Sequence, residues 1–225
     1  MAGKTHFSKA TVQFFRDLKA NNTREWFADN KSLYEDHVKD PALRFIEDFG
    51  PELKRISPHF NATPRSLFRI YRDTRFSKDK TPYKTAAGIH FRHEQSKDAH
   101  APGFYLHIGP DEMFVAMGIW HPDSNALFKI RDHIADDGMR WKRASQTKKF
   151  LSAFALEGES LKRPPKGFDP EHTFIDDLKR KDFIGVQHVP QSFVTSPNLP
   201  ERLAAKYRDG LPFMRLLCDA LGAPF

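Results

Sequence analysis

A single cysteine in 225 residues, Cys218, excludes an intrachain disulfide framework and any cysteine-based zinc site. It lies in the apolar run Met214-Arg215-Leu216-Leu217-Cys218, which reads as the setting of a buried thiol rather than of a nucleophile. No stretch approaches ~18 consecutive apolar residues, and the first residues lack the continuous apolar segment of a signal peptide. A soluble, cytoplasmic protein with no membrane partner is therefore expected. The G-x-S-x-G elbow, both glycine-rich phosphate-binding loops and the H-E-x-x-H pair are missing too. Neither a cofactor nor a metal is expected, and no catalytic motif can be named. Repeats, low-complexity tracts and obvious linkers are also lacking, so one domain is expected over 1–225.

The chain is rich in aromatic bulk and positive charge. Its 21 Phe residues predict a packed core rather than disorder. The net charge of +7 favours acidic partners without identifying one. That charge is concentrated: residues 65–84 carry seven basic side chains against two acidic ones, Asp73 and Asp79. A second cluster comprises Arg140, Lys142, Arg143, Lys148 and Lys149.

Periodicity predicts helices in the first third. Ser8 caps one running to Ala20, and Thr23 caps a second carrying Trp26, Phe27, Leu33, Tyr34 and Val38. Asp40, as a cap, and Pro41, in the first turn, open a third, which kinks or restarts at Gly50-Pro51. Strands are predicted over 67–72, 85–94, 103–109 and 113–120, the last two forming a hairpin that turns at Pro110-Asp111. In 85–94, Ala87, Ile89, Phe91 and His93 share one face, and Ala86, Gly88, His90 and Arg92 the other. Residues 94–102 read as a polar, mobile loop. Beyond them, Asp123 or Ser124 caps a helix ended by Gly138; a helix follows over 170–180, a strand over 183–189, and a helix over 200–221 divided near Gly210-Leu211-Pro212. Helices, then strands, then helices indicate an α+β fold. Its central antiparallel, meander-like sheet is packed by N-terminal and C-terminal helices and has one apolar and one partly polar face.

Four stretches carry a resemblance: FFRDLKANNTREWFADNKSLYE (14–35), RIYRDTRFSKDKTPYK (69–84), GFYLHIGPDEMFVAMGIWHP (103–122) and LKRPPKGFD (161–169). In that order they resemble the family called domain of unknown function 2461 over essentially the whole chain, with RDTRFSKDKTPYK the most specific piece. The resemblance implies one whole-chain domain. It assigns no activity and supplies no catalytic residues.

The basic loop 69–84 is the leading candidate site. Arg69, Arg72 and Arg75 offer planar forks to phosphate or carboxylate oxygens, while Lys78, Lys80 and Lys84 add compact charge. Ser77 and Thr81 supply hydroxyls, and Pro82 stiffens the loop. In the competing arrangement, Asp73 and Asp79 neutralise these cations locally, or Arg72 braces Glu25 or Glu35. Among the histidines, His90 and His93 face opposite ways along a strand, whereas His90 and His107 share the polar face with Arg92 and Tyr105. A His90, His107 and His121 trio could act on protons or hold zinc, but no close ligand spacing supports the metal. Trp26, Asn30 and Tyr34 form one helical stripe, either packed on the sheet or walling a cleft beside the loop.

Three functions follow as expectations. The first is binding of a phosphate-bearing small molecule or other anion by the loop. The second is nucleic-acid binding by two basic clusters sharing a face. The third is an enzyme with acid–base histidines beside the anion trap.

Overall fold

The computed structural model describes residues 4–95 and 101–225. The loop expected over 94–102 therefore falls, for 96–100, outside the described residues. Helix α1 (Lys9–Ala20) starts where Ser8 and Thr11 exchange capping hydrogen bonds, and the Thr23 hydroxyl caps α2 (Arg24–Asp29). Helix α3 (Lys31–Tyr34) then passes through a wider π-helical turn, Glu35–Lys39, into α4 (Asp40–Ile56). Asp40 is thus no cap, contrary to the sequence reading. Pro41 has no N–H for the His37 carbonyl, and the Thr11 hydroxyl donates to that carbonyl instead, at 2.8 Å. The helix does not restart at Gly50-Pro51: α4 runs through it, because the buried stripe Phe45, Phe49, Leu53 and Ile56 continues past it and holds both halves on the core.

Six strands form one antiparallel sheet: β1 (Phe60–Asn61), β2 (Ala87–His93), β3 (Gly103–Ile108), β4 (Met113–Ile119), β5 (Ala155–Glu157) and β6 (Phe183–His188), in the order β1-β2-β3-β4-β6-β5. The meander holds through β4; β6 then inserts between β4 and the edge strand β5. The strand predicted over 67–72 is not one. Leu67 bridges Ile89 and Phe68 N–H reaches the Gly88 carbonyl, after which the chain leaves the edge of β2 and pairs with 82–84.

Helices α5 (Ser124–Asp136), α6 (Gly138–Ser145), α7 (Lys148–Ala153), α8 (Ile175–Leu178), α9 (Gln191–Val194), α10 (Leu199–Asp209) and α11 (Leu211–Ala220) complete the fold. Gly138 opens α6 rather than closing α5. Only four residues of the helix expected over 170–180 are helical. Asp169 and His172 side chains take the Glu171 and Phe174 N–H groups, competing with the helical ladder.

One face of the sheet is covered. Ile89, Phe91, Phe104, Leu106, Val115 and Phe183 point into a core shared with α1, α4, α6, α10 and α11. Phe49 packs on Phe91 with ring centroids 4.7 Å apart, Tyr207 on Phe104 at 4.8 Å, and Trp141 on Phe183 at 5.7 Å. Of the 21 Phe residues, 14 are buried, so their abundance serves packing. Among the described residues no helix is long and apolar enough to cross a membrane.

Candidate functional site

The opposite face of the sheet is the floor of a groove. Strand alternation points Gly88 and His90 (β2), Tyr105 and His107 (β3), Phe114 and Ala116 (β4), and Val186 and His188 (β6) away from the helices. The register aligns Gly88, His107, Phe114 and His188 in one row across the strands, and His90, Tyr105, Ala116 and Val186 in the next. Gly88 is small because a Cβ there would sit 2.5 Å from the Tyr105 hydroxyl and 3.1 Å from the Phe68 ring. Its absence lets both rings lie over β2.

The wall is a hairpin arm built from the basic run. Tyr71 bridges Tyr83, Arg72 N–H bonds the Pro82 carbonyl at 2.9 Å, and Lys84 N–H bonds the Ile70 carbonyl at 2.7 Å. Asn22 pins the arm to the corner between α1 and α2: its side chain donates to the Tyr83 carbonyl at 3.0 Å and accepts the Tyr83 N–H at 3.1 Å. Phe27 stacks on Tyr83 at 4.2 Å. Sequence periodicity places Asn22 only between two helices and does not show this role; an Asn beside a predicted helix end is the available signal. Floor and wall enclose about 1260 Å³.

The six cations of the loop do not converge on one hollow. Arg72 and Lys84 line the groove; Arg69, Arg75, Lys78 and Lys80 do not. Asp73 takes Arg75 at 2.7 Å, and Lys80 bonds the Thr74 carbonyl. Arg72 is held by Asp79 and by the Thr81 hydroxyl rather than by Glu25 or Glu35. The Arg75 hydrogen bonds keep the Asp73 carboxyl at about 2. Asp79 also sits at about 2, first through the Thr81 N–H and then through Arg72. Lys84 differs. Its Nζ donates to the neutral Arg69 carbonyl at 2.8 Å and stands 5.5 Å over the Phe68 ring. Burial, and then Arg69, push its pKa down, and among the described residues no carboxylate is paired with it.

On the floor, the Tyr105 hydroxyl lies 3.1 Å from His107 Nδ1, and the His107 ring stacks on Phe114 at 4.6 Å with 6° between planes. Burial pushes the Tyr105 phenol up, with Glu112 adding to the effect. The same burial holds the His107 imidazole below its ordinary 6.5, against an opposing pull from Glu112. Both groups are uncharged at neutral pH, and the tautomer of the imidazole decides which of them donates.

Other predicted neighbours lie elsewhere. Asn30 donates to the Trp26 carbonyl, and Tyr34 packs on Phe14 and Phe27, its phenol raised to about 12 chiefly by burial. Neither lines the groove, nor do Ser77 and Arg92, the latter donating to the Arg65 carbonyl. His93 faces the covered side and contacts the Pro224 carbonyl. His121 leaves the proposed histidine trio: it lies beyond β4 at a positive φ, with its Nδ1 3.0 Å from the buried carboxylate of Asp182. The second basic cluster occupies α6 and α7, on the covered side of the sheet where Trp141 meets Phe183, whereas Arg72 and Lys84 overhang the open side. Arg140 and Lys149 are paired there with Asp219 and Asp209. The two clusters therefore do not share a face.

A family model described as conserved hypothetical protein (DUF2461) matches residues 10–216. No curated protein and no solved structure matches the chain.

Proposed function

The chain belongs to the DUF2461 family, whose description names no activity, and from the groove alone we propose that it binds a small molecule bearing a phosphate or carboxylate. Lys84 and Arg72 are the groups that meet this anion. The observation carrying the reading is that Lys84, part-buried on the wall of a 1260 Å³ groove, donates to the neutral Arg69 carbonyl and is paired with no carboxylate among the described residues. A charge-assisted hydrogen bond contributes roughly 1.5–3 kcal/mol net. Arg72 joins by exchanging Asp79 for the ligand; their ion pair is exposed, and exposed pairs contribute little. A cytoplasmic setting belongs to the same proposal, since the one thiol, Cys218, is buried and free.

The test is a thermal-shift panel of sugar phosphates, nucleotides, polyphosphate and carboxylates on the wild type and on Lys84→Ala. A ligand selective for the folded state raises the unfolding temperature by mass action. At least one anion should stabilise the wild type and leave Lys84→Ala unmoved. The reading fails if none does, or if the variant responds equally.

A second reading is supported by the 3.1 Å Tyr105–His107 contact: the same ligand undergoes acid–base chemistry at this neutral pair. Its test is turnover of the stabilising ligand, which should disappear in Tyr105→Phe.

A further inference from the structure

The anion site sits at one end of a row of rings. Lys84 Nζ stands 5.5 Å from the Phe68 ring centre. Phe68 lies 6.1 Å from Tyr105, Tyr105 lies 5.8 Å from Phe114, and Phe114 carries the nearly parallel His107 ring at 4.6 Å. The row crosses the strands from the β2 edge toward β6 on the face turned away from the packed helices. The resulting volume is far larger than a bare phosphate needs, and part-buried rings form much of its floor. Of the acids that line it, Asp79 is held by Arg72, Asp111 by Lys19 at 2.7 Å, and Glu157 stands 3.8 Å from His188 Nε2, which leaves Glu112 at the β3–β4 turn. A fixed cation at one end of an aromatic strip complements a ligand with an anionic end and a flat body.

Resting on the anion site proposed above, we infer that the groove takes a planar aromatic anion of the nucleobase-phosphate class, its ring lying on the aromatic strip at the Phe114–His107 stack and its anion on Lys84. Rings of any base stack on such a platform, so the strip confers a preference for aromatic over ring-free phosphates. Phe114 sets that preference, and Lys84 sets affinity for every member of the class. The occupant is a free small molecule rather than a strand. Arg75, Lys78 and Lys80, which would track a longer backbone, do not line the groove, and the second basic cluster lies across the sheet.

The experiment is calorimetric titration of ribose 5-phosphate, AMP, UMP, adenosine and a tetranucleotide into the wild type, Phe114→Leu and Lys84→Ala. Phe114→Leu keeps apolar bulk and removes the ring; circular dichroism and the unfolding temperature establish that each variant is folded. The wild type should bind AMP and UMP roughly tenfold or more tighter than ribose 5-phosphate, as expected from base–aromatic stacking. Phe114→Leu should lose that preference and keep its affinity for ribose 5-phosphate, while Lys84→Ala should weaken all three phosphates. Equal binding of ribose 5-phosphate and AMP to the wild type overturns this inference and leaves the anion site standing. Failure of every phosphate to bind overturns this inference and the phosphate form of the anion site, which then rests on the carboxylates of the thermal-shift panel. Adenosine binding as tightly as AMP, or a tetranucleotide binding more than about tenfold tighter than AMP, also contradicts the assignment.

Discussion

The Tyr207 hydroxyl donates to the backbone carbonyl of Tyr105 at 2.9 Å. Tyr207 is fully buried in α10, whereas the side chain of Tyr105 projects from β3 onto the groove floor. One hydrogen bond thus joins the covered core to the strand that carries the site. Tyr207→Phe keeps the ring packing against Phe49 and Phe104 and removes only this bond. Urea denaturation should show a loss of about 1 kcal/mol, with ligand affinity unchanged. An unaltered midpoint would mean that the bond contributes nothing.

Gly118 and Gly167 separate backbone strain from collision. Both have positive φ, 124° and 91°. A Cβ on Gly118 would run into the Phe183 carbonyl oxygen of the neighbouring strand, while one on Gly167 meets nothing within 4 Å. Gly118→Ala should cost roughly 3 kcal/mol or more, and Gly167→Ala about 1–2 kcal/mol. Comparable melting temperatures for the two variants would contradict this.

Asp182 is 1% exposed and accepts two backbone N–H groups, those of His121 at 2.7 Å and Glu159 at 2.8 Å, while His121 Nδ1 lies 3.0 Å from it. It fastens the end of β4 to the segment following β5. Asp182→Ala leaves two backbone donors without their acceptor and should destabilise by about 2–4 kcal/mol. Asp182→Asn keeps one carbonyl oxygen and should fall between. Chemical denaturation of the three proteins orders them.

Most helices and the central hairpin were legible because long apolar periods specify them: Val12, Phe15 and Leu18 in α1, and Phe104, Leu106 and Ile108 in β3. Strands β1 and β5, of two and three residues, are too short to carry a period and exist only through their partners. The basic run was visible as charge, but not its division. On a paired hairpin arm the direction of each cation depends on partners such as Pro82 and Ile70, which composition does not reveal. Asp73 and Asp79 were correctly weighed as local partners. Which cation would escape them, Lys84, required the fold.

Burial of His107 gives a pH dependence with a definite sign. Its folded-state pKa lies below the ordinary 6.5, so as pH falls past that value the unfolded chain takes up the proton first. Its contribution to stability is complete above about pH 6.5 and declines as pH drops toward the folded value. Glu112 faces His107 and partly opposes the shift. Melting temperatures at about pH 7.5 and about pH 5.5 should differ less in His107→Asn than in the wild type. An unchanged difference would show that the imidazole is not held neutral by burial.

The most direct test compares two double variants in one binding assay, using the best anion from the thermal-shift panel. Lys84→Ala with Arg72→Ala removes the two loop cations that line the groove and leaves Lys19, which Asp111 holds; Arg75→Ala with Lys80→Ala removes as much charge from the same loop outside it. The account predicts that the first pair abolishes measurable binding and the second stays within about threefold of the wild type, because Asp73 and the Thr74 carbonyl hold Arg75 and Lys80 outside the groove and exposed charge is screened by salt. Equal losses in both would show that diffuse positive charge, rather than the groove, attracts the anion.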